Sequence, residues 1–404
     1  MDQQRIPFID HLRAFAFTLL IFDHTIHAYA ETWGRFWFFK DLTRTWICDV
    51  LYLHNNSIIM PLLFMCVGMW VLPAVEHKGL GGYLQNRLLR LGLPFVFGIP
   101  LIVPLLSFPR HQFYVDPTLS YWEFWTEVFF TERLQAGPFW VMYALLLYSV
   151  ITLLLSRLIP TFTPTLGTWV TWMIKKPRLG ILSFMAIAAL ILGGSDLIWG
   201  APWWIGFGKL FYLQGSRFLL HGLFFLLGAG ISASGLLQKP DFWRAFSAKW
   251  PLWFGSMVAV GAAYIGYSLG YGDLAYDESA RRLLAQGADW DSVAPLYAQT
   301  APGILLRTSL HAIFVTLQAL TYTALIHRFL SASNPWLTSL ARNSYGMFIW
   351  HETMVVWMQW SLASTDLPIA LKVAIIFPTA LISAWLLNDQ VMGRIPGVRR
   401  IVKP

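Results

Sequence analysis

Stretches of about twenty mostly apolar residues recur ten times along the chain, at roughly 8–30, 55–75, 88–107, 138–156, 179–198, 214–236, 250–270, 303–328, 342–362 and 367–388. A helix needs about 20 such residues to cross the hydrocarbon core of a bilayer. Inside lipid only helices and closed barrels satisfy their own backbone groups. The pattern therefore predicts an all-α fold, a polytopic integral membrane bundle of about ten transmembrane helices. Composition agrees: of 404 residues, 56% are hydrophobic and only 12% charged, against about 25% charged in soluble domains. That is too little charge to coat a water-facing surface. Disordered, fibrous and disulfide-scaffold classes are excluded on the same ground. Cys48 and Cys66 cannot build a disulfide framework. No internal repeat, polar linker or inserted soluble domain interrupts the pattern, so residues 1–404 read as one transmembrane domain. The first stretch does not read as a cleavable signal peptide, because it holds Asp10, His11, Arg13, Asp23 and His24 and has no small-residue cleavage site.

Loop cations orient the bundle. Arg5, the group Lys78, Arg87 and Arg90, the group Lys175, Lys176 and Arg178, the group Lys239, Arg244 and Lys249, and the tail Arg394, Arg399, Arg400 and Lys403 fall on one side. This places both termini in the cytoplasm and accounts for the net charge of +8 without an anionic partner such as nucleic acid. The two longest loops, about 108–137 and 271–302, face outward and are acidic and aromatic, with Asp116, Glu123, Glu127 and Glu132 in one and Asp273, Asp277, Glu278, Asp289 and Asp291 in the other. They read equally as glycan-contacting lids or as interfacial aromatic belts with solvated loop.

Charged groups within spans are costly, so each marks a candidate site. In the first span eleven residue steps of about 100° bring Arg13 and His24 to within roughly 20° of one face, about 16 Å apart along the axis. Asp10, three residues before Arg13, can hold its guanidinium; Asp23 and His27 flank His24. An imidazole can take a proton from a hydroxyl near neutral pH, and the constellation favours that role over a set of satisfied polar anchors. Arg87 and Arg90, in Asn86–Pro94 (NRLLRLGLP), are three apart and share a face. They could grip phosphate bidentately or simply anchor the span. Arg217 with His221, and Arg307 with His311, repeat a four-residue spacing, with Gln318 continuing the second face. They suggest a hydrated cavity, with interhelical structural bonds equally plausible. His351 and Glu352 fall mid-span and could line a site or serve structure. No P-loop, G-x-G-x-x-G, G-x-S-x-G or H-E-x-x-H occurs, and no residue set has a recognised metal-site spacing.

The first span, with its Arg13/His24 pair, resembles the opening of membrane acyltransferase family 3. Members of that family also carry an R-x-x-R pair entering the third span, here Arg87 and Arg90. MPLLFMCVGMW (Met60–Trp70) is similar to the family's second-span signature, with Cys66 and Val67 in place of the usual small polar residue before Gly68. GPFWVMYALLLY (Gly137–Tyr148) and SYGMFIWHETMVV (Ser344–Val356) resemble its fourth and ninth spans. The likeness covers the whole chain in order. Within the family the chain looks most like the glucans biosynthesis protein C group, on RLLRLGLP and the loop beginning Gly270-Tyr271.

The resemblance implies an O-acyltransferase of the bacterial inner membrane. The donor would be cytoplasmic acyl-CoA, succinyl-CoA most readily or acetyl-CoA, used as a co-substrate with no tightly bound cofactor and no metal. The acceptor would be a hydroxyl of a periplasmic glucan or another glycan. It assigns His24 as general base, Arg13 oriented by Asp10 as its partner, and Arg87 and Arg90 to the CoA phosphates. A succinyl carboxylate needs a cation, for which Arg217 and Arg307 are candidates, with His221, His311 and His351 lining the substrate path. A secondary transporter or flippase would also show intramembrane Arg and His, but the matching broken helices of an inverted repeat are not apparent.

Overall fold

The computed structural model describes residues 6–33, 37–199, 204–207, 210–274 and 301–403. Arg5, Asp277, Glu278, Asp289 and Asp291 lie outside them. The helices are α1 (Pro7–His27), α2 (Trp46–Arg87), α3 (Leu93–Leu101), α4 (Val103–Tyr114), the single turn α5 (Tyr121–Glu123), α6 (Trp140–Leu158), α7 (Phe162–Lys175) and α8 (Pro177–Trp199). After a short antiparallel hairpin, β1 (Trp204–Phe207) with β2 (Phe211–Gln214), come α9 (Gly215–Ala233), α10 (Pro240–Ser247) and α11 (Trp250–Leu274). The chain ends with α12 (Ala301–Phe329), α13 (Pro335–Leu362), α14 (Ile369–Leu386) and α15 (Pro396–Val402). The helical fold matches the expectation; the hairpin is an addition that its few residues did not signal.

Among the described residues, six helical segments are long and apolar enough to cross a membrane: Trp46–Tyr114, Gly137–Leu158, Pro177–Ile198, Trp250–Gly270, Ala301–Phe329 and Ile369–Arg394. Arg217–Ala233 is a shorter apolar helix. Outward-facing Leu158, Leu190 and Ile198 are each more than 70% exposed, which water would not tolerate over so wide an area. The protein is a multi-pass helical membrane protein. α1 and α13 are missing from the six because they carry the polar residues that build the site.

Two local features position that site. α2 has 42 residues, about 63 Å of helix against a hydrocarbon core of about 30 Å. It breaks at Gly79, whose φ of 70° is left-handed backbone that suits glycine. Higher in α2, Gly68 meets the Phe225 backbone and Gly228 of α9 meets the Met65 carbonyl, so closely that a Cβ on either would collide. Small residues let membrane helices approach in this way, and with Asn56 against Arg217 and Phe64 against His221 the contacts advance together along both helices, so α2 and α9 run parallel. Gly68 therefore has a packing reason that is independent of the degraded residues before it.

The second feature is a non-helical strap between α1 and α2, of which residues 28–33 and 37–45 are described. Lys40 Nζ donates to the carbonyls of His27, Ala30 and Trp33. The Asp49 carboxylate accepts the N–H groups of Glu31, Thr32 and Trp33. Asp41 pairs with Lys372 of α14 at 2.9 Å, both side chains 1% exposed. A buried pair of this kind is costly to break from one side.

Candidate active site

α1 and α13 run parallel. Arg13 Nη2 donates to the Ala341 carbonyl at 2.9 Å and to Asp10 Oδ1 at 3.1 Å. Eleven residues on, His24 Nδ1 lies 3.1 Å from His351 Nε2, with the two rings stacked 5.1 Å apart. The helical face predicted for Arg13 and His24 is the face that α13 covers. Glu352 adds an oxygen 3.4 Å from the same His24 Nδ1. Its second oxygen, Oε2, is buried with no partner among the described residues.

The hydrogen-bond chain fixes which nitrogen carries which proton. The Phe348 carbonyl can only accept, so His351 Nδ1, 2.8 Å away, is the donor. In a neutral ring the His351 Nε2 is then a lone pair. His24 Nδ1 must therefore carry the hydrogen that points toward His351 Nε2 and Glu352 Oε1. The remaining nitrogen, His24 Nε2, holds a lone pair and has no hydrogen-bond partner among the described residues. His24 is the partly open member of the set, with 13% of its side chain exposed, while His351 is fully buried. Gln359 Nε2 grips the carbonyls of His24 and Thr25, and Trp37 Nε1 donates to Gln359 Oε1 at 2.7 Å. The Trp37 ring packs on His24 at 4.8 Å. The strap thus closes one side of the imidazole.

His27 pairs with Asp23 at 3.0 Å and packs on Tyr52 at 4.8 Å. Tyr52 leads to a second polar cluster. There Arg217 Nη1 donates to the Asn56 carbonyl oxygen and to Asn56 Oδ1 at 3.1 and 2.8 Å. Arg217 has no carboxylate partner among the described residues. Arg307 differs: Asp196 Oδ2 sits 2.7 Å from its Nη2, both largely buried. Its charge is already neutralised, which removes the reason to reserve it for a substrate carboxylate. His221 stacks on Phe64 at 5.1 Å and His311 on Tyr264 at 5.0 Å. His54 joins Tyr322 at 3.0 Å and accepts Gln318 at its carbonyl.

Arg87 and Arg90 do not form the shared grip that their spacing suggests. Leu88–Gly92 is a π-turn, whose wider turn rotates residues three apart away from each other. Arg87 Nε turns back to the Tyr83 hydroxyl at 2.8 Å. Arg90 Nε donates to the Ile401 carbonyl at 3.0 Å, and its guanidinium lies 5.5 Å from the Tyr345 ring centre. Arg90 lines a basic cavity of about 600 Å³; Arg87 does not.

For a metal, the possible ligand sets among the described residues are Asp23–His24–His27 and His24–His351–Glu352, each with donor atoms within 4.8 Å of one another. Both would consume His24.

A sequence model of the family described as an acyltransferase domain matches residues 6–389. The chain belongs to acyltransferase family 3. No curated protein and no solved structure matches it. Membership makes the protein a membrane acyltransferase, and the parallel pair α1/α13 is where this family member gathers its titratable groups. The sequence pairs Arg13 with His24 on one face and marks His351 and Glu352, but it leaves Gln359, Trp37, Asn56 and Asp196 unremarked. Gln359, Asn56 and Asp196 were legible only as polar residues within spans; Trp37 gave no signal.

Proposed function

We propose that this acyltransferase moves an acyl group from cytoplasmic acyl-CoA to a glycan hydroxyl on the far side of the bacterial inner membrane, with His24 Nε2 as general base. The observation that carries this reading is the partly exposed His24 ring, whose Nδ1 lies 3.1 Å from His351 Nε2 and 3.4 Å from Glu352 and whose Nε2 has no partner among the described residues. The acceptor hydroxyl gives its proton to Nε2 while its oxygen bonds to the thioester carbonyl carbon. The C–S bond breaks, and the imidazolium returns the proton to the CoA sulfur. Glu352, 3.4 Å from Nδ1, stabilises the imidazolium between those events. Arg13, held by Asp10 and Ala341, keeps α1 and α13 in register.

The topology that serves this reaction is ten crossings with both termini cytoplasmic. It is supported by the parallel course of α1 and α13 (the first and ninth spans), the parallel course of α2 and α9 (the second and sixth), and the convergence of Lys78, Arg90 and the C-terminal cations on one cavity. Among acyl groups we favour succinyl, because Arg217 offers an unneutralised cation next to the Tyr52–His27 edge of the site; a periplasmic glucan is the favoured acceptor. The test is a purified preparation given succinyl-CoA or acetyl-CoA and a glucan, scored for sugar ester and free CoA. We expect both products from the wild type and a loss of at least about 100-fold in His24→Ala. Glucan movement across vesicles without ester would favour a transporter instead.

A further inference from the structure

The cavity beside Arg90 has two walls far apart in sequence. One is the end of α2 with the π-turn, carrying Lys78 and Arg90. The other is the C-terminal segment, carrying Arg394, Arg399, Arg400 and Lys403. Positive-inside anchoring requires cations near the membrane edge, not six of them converging on one hollow. The C-terminal wall is fastened in place. Ile401 accepts from Arg90, Val402 is buried, and Lys403 Nζ pairs with Asp389 at 2.9 Å. Asp389 is the one carboxylate paired with any of these six among the described residues, so five cations stay uncompensated.

A volume of about 600 Å³ is that of a small-ligand site, and clustered guanidiniums favour phosphate. Arg90 also points the way inward. Its guanidinium lies against Tyr345, whose hydroxyl donates to the Arg90 carbonyl. Tyr345 precedes His351 on α13 by six residues, about 9 Å of helix. A ligand with a diphosphate at Arg90 can send an arm along α13 toward His24 while its remaining phosphate faces α15.

We propose that Arg399 and Arg400 form the binding site for the 3′-phosphate of the CoA nucleotide, with the 5′-diphosphate at Arg90 and Lys78. The C-terminal helix α15 is then a specificity element for the donor. This rests on the acyl-CoA reading above. An anionic lipid headgroup offers the same phosphate chemistry, and the experiment separates the two.

Binding of CoA and of 3′-dephospho-CoA is measured by titration calorimetry on the full-length protein in phosphatidylcholine nanodiscs and in nanodiscs containing phosphatidylglycerol. Donor KM is measured in parallel. The wild type should prefer CoA by about tenfold or more, in both lipids. Arg399→Gln/Arg400→Gln should bind the two nucleotides equally, with donor KM raised about tenfold and kcat kept. Arg399→Lys/Arg400→Lys should recover most of the preference, which excludes simple misfolding of the tail. Equal wild-type affinity for both nucleotides, or a preference that survives in the Gln variant, overturns the proposal. So does a preference abolished by phosphatidylglycerol, which would make the cavity a lipid site. If the wild type neither binds CoA nor transfers from acyl-CoA, the proposed function itself fails; if transfer proceeds without discrimination, only the role of the tail fails.

Discussion

Two buried polar clusters resolve their charges in opposite ways. Around Arg307 the charge is closed: a guanidinium faces the Asp196 carboxylate at 2.7 Å. Around His24 it is left open, because the chain Phe348–His351–His24 directs hydrogens one way and ends on a bare nitrogen. Both are polar groups in a membrane bundle at similar depth of burial, so burial alone does not mark a reaction centre. What separates them is whether a charge meets its counter-charge, as in Arg307–Asp196, or the network ends on a partly exposed imidazole nitrogen. Arg217 is intermediate, bonded to neutral oxygens and with no carboxylate partner among the described residues.

The comparison breaks most sharply at His24. Replacing it with alanine should cost acyl transfer about 10²- to 10⁴-fold while leaving the thermal unfolding temperature in detergent near that of the wild type. Arg307→Gln should show the reverse. It strands Asp196, and one-sided loss of a buried pair costs about 3–5 kcal/mol, so stability falls while kcat per folded molecule holds. The double variant Arg307→Gln/Asp196→Asn should regain most of that stability. Should Arg307→Gln abolish turnover in well-folded protein, the pair belongs to the chemistry and the distinction collapses.

Glu352→Gln is expected to lower kcat about ten- to a hundredfold with donor KM unchanged, since it removes the carboxyl that can turn negative beside the imidazolium. An unchanged kcat would leave His351 as the sole support of His24. Arg217→Gln should raise KM for succinyl-CoA about tenfold and leave acetyl-CoA alone. Equal effects on both donors would make Arg217 structural like Arg307. The smallest expected effect is from a chelator. Extensive treatment should leave transfer unchanged, whereas loss restored by zinc would recast His24 as a ligand.

Much of this was legible in the sequence, and the limits have physical causes. The spans follow from apolar runs, and α1 begins and ends within three residues of its predicted bounds. The shared face of Arg13 and His24 follows from helix geometry. Contacts between helices do not: His24 meets His351 across 327 positions and Arg307 meets Asp196 across 111. Asp196 sat unremarked near the end of an apolar run. The divergence of Arg87 and Arg90 was hidden because a π-turn leaves no mark in residue spacing. The strap escaped notice because its order comes from one ammonium, two carboxylates and a distant lysine rather than from any periodicity.

That strap has a consequence for its side of the bundle. Asp41 and Lys372 bolt it to α14, Lys40 draws three carbonyls together beneath it, and Trp37 hangs from it against His24. It is a lintel rather than a flap. On that side the imidazole is flanked by a ring held on buried anchors rather than by a free loop.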